Sequence, residues 1–317
     1  MANISAAMVK ELREKTGAGM MDCKKALTAT DGDFDKAINW LRENGLATAE
    51  KKAGRATTEG WVYGVTENDN KTGALVEINI ETDFAAKNEN FQLLVKNIAY
   101  QALATELGED DTENKDKLMA APYNYNKDIT VETAIKEEVG AIGENITFRR
   151  AARYELDEPG LIDIYIHGEG RVGVMVELLT GTEDTAKNEA TSALARDLAM
   201  QIAAMKPLYL NADSVPEEVL ENEREVARAA ARKEGKPEKI IENIVTGKLK
   251  RFYSDFCLLE QDYIHEEGIT VEKAVANAAR NLDDSIKVSR FLRYERGEGL
   301  EKKECCSFAE EVAQQLK

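Results

Sequence analysis

Two histidines, His167 and His265, and four cysteines, Cys23, Cys257, Cys305 and Cys306, are the residues best suited to metal or nucleophilic chemistry here. Their spacing serves neither. Adjacent Cys305 and Cys306 chelate poorly without histidine partners, and no Ser-His-Asp or Cys-His set stands out. The cysteines form no disulfide framework and read as reduced thiols in cytoplasm. No Gly-x-x-x-x-Gly-Lys-Ser/Thr loop is present, and Lys233-Glu234-Gly235-Lys236 lacks the strand that would have to precede one. The remaining chemistry is recognition. Phe84 sits in Asn79-Ile80-Glu81-Thr82-Asp83-Phe84-Ala85-Ala86-Lys87-Asn88-Glu89, between a strand-like run over 74–78 and a helix-like run over 91–107. An aromatic among polar and small residues at such a junction suits a probe inserted into a partner better than a core residue.

The chain carries its own control. The segment 59–104 matches 159–204 at a constant offset of 100, and Ala86-Lys87-Asn88-Glu89 recurs unchanged as Ala186-Lys187-Asn188-Glu189. At the positions of Thr82-Asp83-Phe84 the second copy has Thr182-Glu183-Asp184. A fold that accepts an acid there does not need the ring for packing. Glu183 preserves the acid of Asp83, and either could cap the following helix. Gln101 pairs with Gln201. Later the match resumes at an offset of 140: Thr130-Val131-Glu132 with Thr270-Val271-Glu272, and Arg150 to Glu155 with Arg290 to Glu295. The second copy has therefore gained a net forty residues.

Each copy reads as two strands, a long helix, a second helix and a closing strand. The first copy places strands over 61–66, 73–80 and 146–155 and helices over 88–107 and 131–142. The second places strands over 161–167, 171–178 and 286–294. This mix predicts an α+β fold with helices covering one face of a mostly antiparallel sheet. Ahead of the repeat, three short helices over 6–16, 21–28 and 34–44, the last ending at Gly45, form a compact bundle. Lys51-Lys52-Ala53-Gly54-Arg55 reads as a basic linker. Met20-Met21 is either core filler or an adaptable apolar contact. The extra residues form a helical hairpin over 214–255, read as a projecting antiparallel coiled coil. Ile240, Ile241, Ile244, Val245, Leu249 and Phe252 face Val219, Val226 and Ala230 across it, and contact with a partner or a second copy is the expected role. An amphipathic helix over 307–316 closes the chain.

Composition bounds the partners. With 42 basic and 59 acidic residues the net charge is −17 and the pI near 4.8, a field that repels nucleic acid. No signal peptide is visible at Met1-Ala2-Asn3-Ile4-Ser5, and no apolar run is long enough to span a membrane. An enzyme is the weaker class and a protein-binding module the stronger.

The run Leu12-Arg13-Glu14-Lys15-Thr16-Gly17-Ala18-Gly19-Met20-Met21-Asp22-Cys23-Lys24-Lys25-Ala26-Leu27 resembles the N-terminal signature of the bacterial elongation factor Ts family. Thr82-Asp83-Phe84 with Ala86-Lys87-Asn88 resembles that family's core signature. Gly143-Glu144-Asn145-Ile146, Gly235-Lys236-Pro237 and Gly297-Glu298-Gly299-Leu300-Glu301-Lys302 match further landmarks, so the resemblance covers nearly the whole chain. It implies a ubiquitin-associated-like domain over 1–54, core subdomains over 55–157 and 158–300, the coiled-coil insertion, and a C-terminal helical module over 301–317. It also implies a guanine-nucleotide exchange factor without substrate chemistry or cofactor of its own. The implied partner is elongation factor Tu, GDP-bound and nucleotide-free, with room for a homodimer within a two-plus-two complex. By position, Asp83 and Phe84, following Thr82, would insert beside partner helices, disturb the Mg²⁺ site and loosen the phosphate loop. Arg13, Met20 and Met21 would belong to the N-terminal contact surface. The family pattern has histidine where Gln201 stands; glutamine keeps hydrogen bonding but loses the ring and any charge, and a partner contact is expected there. The alternative reading is a non-catalytic adaptor or holder of a translational GTPase.

Overall fold

The computed structural model describes residues 4–108 and 110–300. The expected helix over 307–316, the 301–317 module and Cys305 and Cys306 lie outside the described residues.

Three helices come first: α1 (Ala6–Thr16), α2 (Met20–Ala29) and α3 (Phe34–Lys52). The Ser5 hydroxyl caps α1 by accepting from the Met8 amide, and Gly17 ends it in the left-handed region at φ 68°. Leu12, Cys23, Ala26, Leu27 and Ala37 close a small core among them. The expectation that the third helix stops at Gly45 is corrected: α3 runs through Gly45 to Lys52, so Lys51 and Lys52 belong to a helix and not to a linker. A mid-helix glycine costs about 1 kcal/mol of propensity. Close tertiary packing offsets that here, because buried Gly45 lies against the backbone of Gly140 in a later helix.

The first copy of the repeat follows as β1 (Glu59–Glu67), β2 (Thr72–Ile80), α4 (Asp83–Ala86), α5 (Glu89–Ala104), α6 (Asp111–Ala120), β3 (Pro122–Tyr123), β4 (Asn126–Thr130), α7 (Val131–Ile142) and β5 (Ile146–Glu155). The second is β6 (Gly160–His167), β7 (Val172–Thr180), α8 (Glu183–Ala186), α9 (Glu189–Met205), the hairpin α10 (Glu217–Lys233) and α11 (Glu238–Phe256), then α12 (Val271–Asn281) and β8 (Ile286–Glu295). Each copy builds a three-stranded antiparallel sheet, β1-β2-β5 and β6-β7-β8. Both closing pairs carry a register irregularity at the same repeat position, Glu77/Ile78 and Glu177/Leu178. The α+β expectation therefore holds, with antiparallel sheets.

Helices cover one face of each sheet, as the alternation predicts. Val76, Ile78 and Ile80 pack with Phe91, Leu94 and Ile98 of α5, and Val174, Val176 and Leu178 with Leu194, Leu198 and Ile202 of α9. The opposite faces pack on each other through Val62, Leu75, Ile162, Met175 and Tyr294. The contact is reciprocal: the Val62 amide donates to the Gly170 carbonyl at 2.8 Å and the Ile162 amide to Asn70 at 2.7 Å. Arg150 stacks on Tyr294 and Arg290 on Tyr154, at 4.0 and 3.9 Å from the ring centroids.

The hairpin's facing residues match expectation in part: Ile241 and Val245 face inward and Val219 packs with Leu249 and Phe252. Ala227 and Ala231 meet Ile241 and Val245 from the first helix, while Val226 and Ala230 are exposed. Among the described residues no helix is long and apolar enough to cross a membrane.

Candidate functional site

The helix expected over 88–107 is α5, and a separate one-turn helix that was not expected precedes it. Thr82 has extended backbone, and its hydroxyl accepts from the Ala85 amide at 3.2 Å, which starts the one-turn helix α4. Lys87 ends that turn, and Asn88 caps α5 by accepting from the Asn90 amide at 2.8 Å. Neither Asp83 nor Glu183 is the cap. Thr182 and Asn188 repeat the same two caps in the second copy, which explains the identical Ala-Lys-Asn-Glu runs: they specify a helix break and restart.

On this pinned turn Phe84 is 85% exposed, the most exposed large apolar side chain among the described residues. Asp83 is exposed beside it, while Ala85 and Ala86 anchor the turn in the core. The second-copy turn faces its neighbour instead. Glu183 pairs with Lys71 at 2.8 Å and Lys187 lies 3.5 Å from Asp69, so α8 is tied to the first copy's β1–β2 turn.

Below the turn, Thr82 is held by Glu144. Its amide donates to Oε2 at 3.0 Å and its hydroxyl to Oε1 at 2.8 Å. In the second copy Asp284 takes that place, accepting from the Thr182 hydroxyl at 2.9 Å. Hydrogen bonds from Thr185, the Ser285 amide and Thr182 hold the Asp284 carboxyl below the usual aspartate range.

Arg13 and Met20 line an open groove whose other wall is Lys87, Asn88, Glu89 and Asn90. The start of α2 and the end of α4 thus share one surface. Gly17 lies close to that wall: a Cβ there would be 2.6 Å from the Asn90 side-chain nitrogen, and its φ of 68° itself favours glycine. Met20 and Met21 are 50% and 64% exposed, which removes the core-filler reading for both. Thr82, Asp83, Phe84, Arg13, Met20 and Met21 are therefore all surface residues; Arg13 and Met20 line the groove, whose far wall begins at Lys87, where α4 ends.

Gln201 does not join them. It is fully buried in α9, its amide nitrogen donating to Gln261 Oε1 (3.2 Å) and the Asp262 carbonyl (3.0 Å). Its oxygen accepts from the Ile264 amide at 3.1 Å. Gln101 does the same work in the first copy, donating to the Pro122 carbonyl and accepting from the Asn124 amide. The expected partner contact at Gln201 is corrected: the amide is spent on loops of its own chain.

Against this geometry, comparison with known proteins is decisive. A sequence model of the family described as "Elongation factor TS" matches residues 81–298. Elongation factor Ts of Clostridium novyi is 46% identical over 313 residues, 99% of each chain. That of Symbiobacterium thermophilum is 45% identical over 315 residues, again 99% of each, and that of a Nostoc species 44% over 318 residues, 100% of this chain and 99% of its own. The chain belongs to the elongation factor Ts family. It is thus a translation elongation factor by descent, and the exposed Thr-Asp-Phe turn lies inside the family match.

In this member of the elongation factor Ts family the residues least visible from sequence are the ones beneath the turn. Glu144 and Asn145 stood out only as part of a landmark motif. The offset of 140 residues pairs Glu144 with Asp284 and was the available signal that each holds a threonine cap.

Proposed function

We propose that the chain is the guanine-nucleotide exchange factor of elongation factor Tu. It binds the GDP-bound partner, disturbs the Mg²⁺ and phosphate site, and releases GDP so that GTP can load. The observation that carries this reading is Phe84, a ring held out from a turn whose backbone is capped by Thr82 and anchored by Ala85 and Ala86. A pre-ordered apolar anchor loses little entropy on insertion, so its burial goes largely into binding. Asp83 and Phe84 are the inserting pair. Arg13, Met20 and Met21 are the second contact, presented by a ubiquitin-associated-like domain over 1–54. Core subdomains over 55–157 and 158–300 carry them, with 214–255 a coiled-coil arm and 301–317 a C-terminal module.

The energetics follow from linkage. Exchange requires that the factor bind the nucleotide-free partner more tightly than the GDP-bound one, and GDP then weakens the factor by the same ratio. A buried aromatic anchor contributes about 2 kcal/mol, a factor of ~30. Stopped-flow release of fluorescent GDP from elongation factor Tu tests the wedge. Phe84→Ala is expected to slow factor-stimulated release ~30-fold with little change in melting temperature, since the ring packs on little of its own chain. An unchanged release rate would remove Phe84 from the mechanism.

A further inference from the structure

Beneath the Phe84 turn, the loop that ends α7 joins two regions far apart in sequence. Glu144 grips Thr82, as described. Its neighbour Asn145, only 5% exposed, donates its amide N–H to Glu81 Oε1 at 2.6 Å. The Asn145 side chain donates to the Arg55 carbonyl at 2.9 Å and lies 3.4 Å from that of Ala53. Arg55 closes the ring with Glu81 at 3.4 Å. One residue earlier, the Gly143 carbonyl accepts from Lys52, the last residue of α3. Three consecutive residues thus bind both the exit of the N-terminal helices and the base of the Phe84 turn.

The internal repeat separates what the fold needs from what has been added. Gly143 and Asp283 both adopt the left-handed region, φ 86° and 50°, and Glu144 and Asp284 both hold a threonine cap. Those features serve the turn itself, with or without a phenylalanine. Where the first copy has Glu81 and Asn145, the second has Gly181 and Ser285, and the link there is the Gly181 amide donating to the Ser285 carbonyl at 3.1 Å. The ring of Asn145, Glu81 and Arg55 exists only in the copy that carries Phe84 and follows the helical bundle.

We propose that Asn145, with Glu81, is a positioning residue for nucleotide exchange: it locks the Phe84 turn and the Arg13–Met20 surface into one frame, so that docking of the second drives insertion of the first. This rests on the exchange reading above. Asn145 touches no partner and acts through Phe84. A displacement of about 1 Å in a reacting geometry can cost up to 100-fold in rate, so a loosened frame is read in the rate at saturation.

The test is stopped-flow release of fluorescent GDP from elongation factor Tu over a range of factor concentrations. It compares wild type, Asn145→Ser, Phe84→Ala and the double variant. Serine is the residue the second copy uses at this point, and folding is checked by circular dichroism. Asn145→Ser is expected to lower the saturating rate on the order of 10-fold, leaving the half-saturating concentration within about twofold. In the Phe84→Ala background the same change is expected to alter the rate less than about twofold, because the group it positions is already gone. A saturating rate equal to wild type overturns the proposal, and so does an equal loss in both backgrounds. Should Asn145→Ser fail to fold, Glu81→Gln breaks the charged side of the ring and carries the same expectations. If wild type itself does not accelerate release, the exchange reading fails and takes this inference with it.

Discussion

Phe84 and Gln201 show what single residues reveal and conceal. The exposure of Phe84 was legible because the chain holds a second copy of the turn with Asp184 in its place. Gln201 was misleading for the opposite reason: the contact expected there came from the family pattern alone, and its actual hydrogen-bond partners lie far along the chain. The Gln101–Gln201 pairing already pointed to a shared internal role. Removing the Gln201 amide leaves the buried Gln261 side-chain oxygen, and the part-buried Ile264 N–H and Asp262 carbonyl, without it. Gln201→Ala is expected to cost about 2–3 kcal/mol, read as a lower urea midpoint at unchanged slope. The folded variant should keep its exchange rate within about twofold. Lost exchange at unchanged stability would restore Gln201 to the partner surface.

Among elements, boundaries set by local capping were easier to read than those set by distant packing. Ser5 and Gly17 bracket α1 at the expected bounds of 6–16. Gly45 did not stop α3, since it lies buried in a crossing where α3 packs against Gly140. The polar stretch that forms α6 and the β3–β4 hairpin escaped notice, because only Asn114, Leu118, Tyr123 and Ile129 there are buried and too little apolar period remains. The crossing of α3 and α7 is flanked by the Arg42–Glu137 ion pair and by Lys52 on the Gly143 carbonyl. It makes an asymmetric prediction. A Cβ on Gly140 would lie 2.5 Å from the Gly45 Cα, whereas one on Gly45 would meet Gly140 at 3.5 Å, an ordinary contact. Gly140→Ala is expected to destabilise by about 1–3 kcal/mol through forced separation of the helices. Gly45→Ala is expected to be neutral or to gain up to ~1 kcal/mol in helix propensity. Thermal unfolding of the two variants checks the contrast; equal losses would mean that the glycines do not set the crossing.

At the scale of the molecule, the repeat predicted two related halves but not that they sit back to back. The signal was present in the central strands. The unbroken apolar run of Ala74, Leu75 and Val76 befits a strand covered on both faces, and every residue of β2 is buried. Within that interface Glu77 is fully buried and accepts from Arg149, Arg150, Asn79 and the Gly297 amide, so its charge is paired on every side. The central claim is that this chain binds its partner in competition with nucleotide, and affinity measures that directly. Titration calorimetry of the full chain with elongation factor Tu, nucleotide-free and then saturated with GDP and Mg²⁺, gives both dissociation constants. The account predicts binding weaker by about 100-fold or more, ~3 kcal/mol of coupling, in the presence of GDP and Mg²⁺. Equal affinity in the two states would contradict it and leave an adaptor that holds its partner without exchanging its nucleotide.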